Sequence, residues 1–378
     1  MKGAMLYVNA GKGHYMPAKA LYDSMIDAGY DAVLEDLFIV LDTPFWEFFC
    51  KYDWRFLLHH PRLEPIVHRM TDNRFNYHLI KSKGHHKKRL EGFRKWYEWE
   101  KPDFIVSTNF LGGIILPAVV RELGLNVPVY QYAADVFDTP LTGIEPMIDK
   151  MFFPTQIGVE NAIKRGQPAD TVALCPFPLQ KKMAVYQPLS KKLTREKLGL
   201  RDCFTVLYSM GGEGIGNPAF FHALAKEHPD WQVIAIGGSS KTMSRALNNF
   251  QEKYPEFNLV RPGFVDNVGE YLAACDVHVG KAGANALMEA VYLRRPCLVS
   301  ELLYAALATE QFFSKRGVGW CENNVKKQVD ILTEYASSPE LQSKMDKNFD
   351  DLAVVFNAGM FVEQLIKETN RIRLLSGK

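Results

Sequence analysis

One pattern recurs along the chain. A short apolar run is followed by a glycine-bearing turn, and then by a longer segment whose apolar residues return at helical spacing. Ala4-Met5-Leu6-Tyr7-Val8 is the first run and Gly11-Lys12-Gly13-His14 its turn. The spacing predicts a helix over 16–28, with Pro17 in its first turn and Gly29 at its end. Residues 32–37, 102–108, 128–132 and 151–153 read as further strands, and 113–123 as a helix. The pattern then restarts. Residues 203–208 form an apolar run, followed by Gly211-Gly212-Glu213-Gly214-Ile215-Gly216, a helix over 218–228, and strands at 231–236, 259–264, 277–279 and 296–299. Continuous apolar strands alternating with helices predict an α/β chain of two doubly wound parallel domains, with a ligand cleft at the carboxyl ends of their strands. The expected divisions are 1–175, a proline-bearing linker at 176–198, a second domain at 199–350, and a C-terminal helix over 351–378 that crosses back to the first domain.

Residues 44–100 break the alternation. No strand is evident, and aromatic residues such as Trp46 and Trp54 are interleaved with Lys and Arg. The sharpest basic run is His85-His86-Lys87-Lys88-Arg89. Rings set among cations suit a helix lying on anionic lipid. They also suit single-stranded nucleic acid, or a helical excursion that packs its rings on the first domain and solvates its charges.

Composition narrows this picture. The 378 residues carry 45 Lys and Arg against 43 Asp and Glu, a near-neutral balance that argues against a dedicated nucleic-acid binder. The 6 cysteines are scattered without a Cys-x-x-Cys pair, so neither a zinc site nor a disulfide framework is expected. No apolar run has the length of a membrane span, and the N-terminus lacks the apolar stretch of a signal peptide. A cytoplasmic protein, at most touching a membrane surface, is the expectation.

The chemistry centres on residues 274–290. A strand at 277–279 runs into the small-residue turn Gly280-Lys281-Ala282-Gly283, and a helix follows from Asn285. Unpaired backbone N–H groups at such a helix start attract an anion, and glycine lets it approach. Glu289, two turns on, is placed to accept hydrogen bonds from ribose hydroxyls. His14, just past a glycine turn, and Asp135, after a strand end, are candidate bases.

Together these motifs resemble the GT-B glycosyltransferases of the monogalactosyldiacylglycerol synthase and processive diacylglycerol glucosyltransferase family. More distantly they resemble the lipid II N-acetylglucosaminyltransferases (GT28). The resemblance rests on Gly11-x-Gly13-His14, Lys101-Pro102-Asp103-Phe104-Ile105-Val106-Ser107-Thr108, Ala133-Ala134-Asp135 and Met210-Gly211-Gly212-Glu213-Gly214-Ile215-Gly216. It continues through Pro262-Gly263-Phe264-Val265, and Cys275 to Gly283 with Glu289-Ala290. It implies a UDP-sugar co-substrate held by the second domain, with no metal and no other cofactor. Gly211, Gly212, Gly214, Gly283 and Ala284 would line the diphosphate, Phe264 and Val265 the base, and Glu289 the ribose. His14 and Asp135 would serve the acceptor of an inverting displacement. The segment 44–100 would contact an anionic membrane through Trp46, Trp54, Lys87, Lys88 and Arg89 and, together with Gly11 and Gly13 of the first glycine turn, capture a lipid acceptor. That places the protein on the cytoplasmic face of the cell membrane.

Four places depart from the family pattern. Lys281-Ala282-Gly283-Ala284 stands for Lys-Pro-Gly-Gly, Asn109 for a histidine, and Ala134 for a threonine. Where the family contacts the donor sugar, the chain has Ala305, Ala306 and Thr309, with Glu310 and Gln311 close enough to substitute. The competing readings are a transferase with a soluble acceptor, a UDP-sugar epimerase, and a catalytically silent binding protein.

Overall fold

The computed structural model describes residues 1–9, 12–60, 63–81, 86–238, 240–301 and 307–375. The chain forms two compact units. Met1–Ala184 joins Ala353–Lys378 in the first, and Val185–Leu352 is the second.

The first unit holds a six-stranded parallel sheet in the order β2-β1-β3-β4-β5-β6. Its strands are β1 (Lys2–Tyr7), β2 (Asp31–Asp36), β3 (Phe104–Ser107), β4 (Val129–Tyr132), β5 (Lys150–Phe153) and β6 (Val172–Leu174). Both faces are covered, which is why the middle of β1, Gly3 to Leu6, is apolar and buried. Ala4 and Leu6 point into a core with Leu37, Ile105 and Ile115, while Met5 points into the opposite core with Leu21, Phe104 and Tyr130. The C-terminal helix Ala358–Leu375 belongs to this second core through Phe361, Val362 and Leu365.

Two local features differ from the sequence expectation. The first helix spans Lys12–Asp27, so His14 lies in its first turn and Pro17 lies inside it. The Thr108 hydroxyl donates to the His14 carbonyl at 2.7 Å and ties that turn to the end of β3. The three-residue strands Val172–Leu174 and Gly319–Cys321 were too short to show a pattern. The segment 44–100 is helical, as helices Pro44–His59, Glu64–Thr71, Arg74–Lys81 and His86–Glu100.

The second unit repeats the design in the order β12-β11-β10-β7-β8-β9. Its strands are β7 (Thr205–Ser209), β8 (Gln232–Ile236), β9 (Asn258–Gly263), β10 (Val277–Lys281), β11 (Cys297–Glu301) and β12 (Gly319–Cys321). Val206, Tyr208, Val233, Val277 and Val279 share one core with Phe220, Phe221 and Phe250 of the covering helices.

Each strand order reverses once, between β1 and β3 in the first unit and between β7 and β10 in the second. In an open parallel sheet the loops leaving the two strands at such a reversal splay apart and leave a crevice. The residues that follow β1, β3, β7 and β10 are therefore the ones to search for chemistry.

Candidate active site

In the first unit His14 follows β1 and Asn109 follows β3, so the reversal brings them together. Asn109 caps the helix Phe110–Glu122, its side-chain oxygen accepting from the Leu111 N–H at 2.9 Å. This helix lies directly on the sheet. A Cβ at Gly113 would fall 1.8 Å from the Gln131 amide oxygen, so a larger residue there would displace that side chain. His14 Nδ1 lies 2.8 Å from the Thr108 carbonyl oxygen, and its Nε2 lies 3.0 Å from Asn109 Nδ2. Asp36, at the end of β2, accepts from the Asn9 and Phe38 N–H groups and fixes the entry to the glycine turn. Burial raises its carboxyl above the ordinary range, and those two N–H donors oppose the rise.

Asp135 follows β4. It is exposed to solvent, yet the protein crowding it raises its pKa. Asp138 adds to the rise, while His14 and His68 oppose it. The next residue, Val136, is buried at φ 48°, a conformation that a β-branched residue rarely adopts. The strain persists because the Thr155 hydroxyl donates to the Val136 carbonyl at 2.5 Å and so fixes the turn. Arg165 holds Asp138 through Nε at 2.8 Å and Nη2 at 2.5 Å. Asp72 accepts from the Thr142 N–H at 2.8 Å, pinning the end of the helix Glu64–Thr71 to the same region.

The second unit presents Gly211–Gly216 after β7 and the start of the helix Ala284–Tyr292 after β10. Gly283 occupies the N-cap, and among the described residues no side chain caps that helix. Ala284 is therefore in the first turn of a helix start whose N–H groups can receive an anion. Gly211 and Gly214 both sit at φ 65°. A Cβ on Gly214 would come within 2.5 Å of the Gly238 oxygen, whereas around Gly212 and Gly283 there is open space. Gly214→Ala is expected to destabilise the unit by about 2 kcal/mol or more, from positive φ and backbone overlap together. Thermal unfolding with and without UDP measures it.

Beneath this turn, buried His278 lies 2.8 Å from the Ser209 hydroxyl through Nε2, joining β10 to β7. Burial lowers its pKa to about 4, so it stays neutral near pH 7. At the ends of β10 and β11, Lys281 and Glu301 pair at 3.1 Å. Glu289 is largely enclosed, and desolvation pushes its carboxyl up to about 7. Phe264 follows Gly263 with its ring 59% exposed, and Val265 beside it is half-buried. Glu310 and Gln311 face solvent on the helix Leu307–Arg316, while Thr309 is buried. Ala305 and Ala306 lie outside the described residues, as does Gly11.

The aromatic and basic segment divides into an inward and an outward set. Trp46 packs against the first unit's core, and the Trp54 side chain lies outside the described residues. Phe45 (70%) and Phe75 (74%) are exposed, as are Phe48, Tyr52, Ile66 and Met70. Lys87 and Lys88 face solvent, and Gly13 is exposed, with open space where a Cβ would stand. Arg89 corrects the sequence expectation. It is 8% exposed and donates to the Ile80 carbonyl at 2.6 Å, so it joins two helices and offers no cation to a surface. Lys81 is likewise committed to the fully buried Glu145, at 2.5 Å. Helical periodicity in the sequence could have separated these two from Lys87 and Lys88, but the basic run obscured it.

Comparisons with known proteins agree with this arrangement. Residues 219–311 match the glycosyltransferase family 28 C-terminal domain. The chain is similar to the processive diacylglycerol beta-glucosyltransferase of Bacillus pumilus, at 21% identity over 97% of this chain and 95% of the relative. It is also similar to monogalactosyldiacylglycerol synthase 2 of Arabidopsis thaliana, at 22% identity over 90% of this chain and 75% of the relative. Anabaena HepE in complex with UDP superposes with a TM-score of 0.65 at 13% identity, over 98% of this chain and 100% of that one. Staphylococcus aureus MnaA with UDP gives 0.64 at 14%, over 100% of this chain and 97% of that one. The architecture is the GT-B fold, and the chain is a glycosyltransferase that carries a family 28 C-terminal domain.

Proposed function

We propose that this glycosyltransferase moves a sugar from a UDP-sugar to a lipid acceptor at an anionic membrane surface, with inversion and without a metal ion. One observation carries the donor half: a helix start that no described side chain caps lies beside a glycine turn at the strand reversal of the second unit, with a desolvated glutamate about a turn and a half along. As the bond from sugar to phosphate breaks, charge grows on the departing UDP. Oriented N–H groups around Gly212, Gly283 and Ala284 meet that charge without having to reorganise. Gly211 and Gly214 shape the turn, Glu289 accepts from the ribose hydroxyls, and Phe264 and Val265 cover the base. Glu310 and Gln311 serve the sugar hydroxyls.

The acceptor half belongs to the first unit. The acceptor oxygen attacks the anomeric carbon as its proton passes to the acid–base group formed by His14 and Asp135. One displacement inverts the configuration. The lipid reading is supported by the names of the two relatives and by the exposed rings of the helices Pro44–His59 and Arg74–Lys81. Side chains of that kind enter the headgroup region, while Lys87 and Lys88 attract anionic lipid. No described helix is long and apolar enough to cross a membrane. The expected place of work is therefore the surface of the inner leaflet.

The test is UDP release from UDP-glucose, UDP-galactose, UDP-N-acetylglucosamine and UDP-glucuronate, with and without diacylglycerol in anionic vesicles. Lipid-dependent release that persists in EDTA is expected. Release that needs no lipid would refute the lipid acceptor. Activity lost in EDTA and restored by Mg²⁺ or Mn²⁺ would refute metal independence.

A further inference from the structure

We propose that Asn109 locks His14 as a neutral imidazole whose Nε2 lone pair is occupied, so that Asp135 takes the acceptor proton and His14 is a positioning residue. This inference rests on the reading of the first unit as the acceptor side.

The hydrogen bonds fix every donor and acceptor. The Leu111 N–H can only donate, and it reaches the Asn109 side-chain oxygen at 2.9 Å. That leaves the Asn109 NH₂ facing His14 Nε2 at 3.0 Å. An amide NH₂ donates, so Nε2 must accept and carries no proton. The remaining proton of the ring is on Nδ1, where the Thr108 carbonyl, an acceptor, waits at 2.8 Å. The two ends of the ring give the same tautomer independently. A second proton on Nε2 would point at a group that cannot accept it. The capping bond of the helix Phe110–Glu122 thus sets the protonation state of His14.

The consequence falls on Asp135. Charged or titrating groups around it are His14, His68 and Asp138. Asp138 is neutralised by Arg165, and His68 Nε2 is 3.3 Å from the buried Glu64 carboxylate. A cationic His14 would make Asp135 a weaker base. Held neutral, it leaves the crowding around Asp135 to keep that carboxylate basic. In the reaction the acceptor O–H bond breaks and its proton goes to an Asp135 oxygen. The acceptor oxygen bonds to the anomeric carbon, and the electron pair of the cleaved bond leaves on UDP.

The experiment is ¹⁵N NMR of the histidine rings in the full chain at neutral pH, paired with kinetics of four variants. Wild-type His14 is expected to show an unprotonated Nε2 and a protonated Nδ1. Asn109→Asp keeps an oxygen for the Leu111 N–H but offers Nε2 an acceptor. It is expected to protonate both ring nitrogens and to lower kcat about tenfold, with UDP affinity and melting temperature unchanged. Asn109→Ser keeps a cap and loses the lock, so both tautomers are expected with a smaller loss of kcat. A wild-type ring protonated on Nε2, or an unchanged ring in Asn109→Asp, would overturn the lock. A His14→Asn variant that loses as much as Asp135→Asn would overturn the assignment of Asp135. The ring spectra need no turnover. A chain inactive with every donor would count against the proposed function while the spectra still decide the lock.

Discussion

Asp135→Asn is expected to lower kcat by about 10²–10⁴-fold while leaving UDP affinity unchanged. The asparagine retains the size and hydrogen-bonding edge of the carboxylate but cannot take a proton. The fold is not expected to lose stability, because the crowding that raises the Asp135 pKa works against its charged form. The sign follows from linkage. A carboxyl raised in the folded state binds its proton more tightly there than in the unfolded chain. Stability from this group is therefore greatest below the unfolded value and declines as pH rises through the folded one. Removing the charge removes that decline. Kinetics at saturating donor, UDP titration calorimetry and thermal unfolding across pH check the three parts. A variant that retains more than a tenth of wild-type kcat would show that the proton goes elsewhere. Loss of folding together with loss of activity would make Asp135 a structural residue.

The acid limb of the wild-type rate profile belongs to the same group. Asp135 acts only when ionised, so kcat at saturating donor is expected to fall as pH drops through its raised value. The limb should vanish from whatever residual rate Asp135→Asn retains.

Much of this architecture was legible because hydrophobic burial acts locally. The runs at 4–8, 203–208 and 277–279 are apolar on both faces, since helices cover both faces of each sheet, and the glycine turns follow directly. The reversal points then follow from strand order, which periodicity alone does not reveal. His14 and Asn109 are 95 positions apart. Each was visible in the sequence, one as a candidate base and one as a departure from a family pattern. Their contact depends on β1 and β3 being neighbours. Val136 could not be read at all, because a strained φ at a β-branched residue contradicts local propensity and is imposed by Thr155. The basic run misled for the opposite reason. Lys87, Lys88 and Arg89 are chemically alike, but successive positions on a helix point about 100° apart, so one of the three turns inward. Start signals also failed at the first helix. Pro17 looked like a first-turn residue, and the Thr108 hydroxyl and the Asn109 contact that draw the helix back to Lys12 come from another strand.

Donor binding is expected to strengthen as pH rises through about 7, and Glu289 is the reason. Desolvation holds its carboxyl near that value, and no hydrogen bond or ion pair offsets it among the described residues. Below it the group is neutral and offers the ribose hydroxyls a weak acceptor. Above it the carboxylate accepts in charge-assisted bonds, about twice as strong. Bound ribose in turn favours the charged form, so UDP binding near neutral pH should expel a proton. Calorimetry in two buffers of different ionisation enthalpy reads that proton directly. Glu289→Ala is expected to weaken UDP binding by about 10–100-fold, the worth of hydrogen bonds to a charged group. Glu289→Gln should bind with intermediate strength and without the pH dependence. Glu289→Gln should also be the more stable protein at pH 8. The folded state holds the Glu289 proton more tightly than the unfolded chain, so stability declines between the unfolded value of about 4.3 and the folded value of about 7. UDP affinity that is flat from pH 6 to 8 in wild type, with no proton released, would remove Glu289 from the ribose and leave its burial as packing within the second unit.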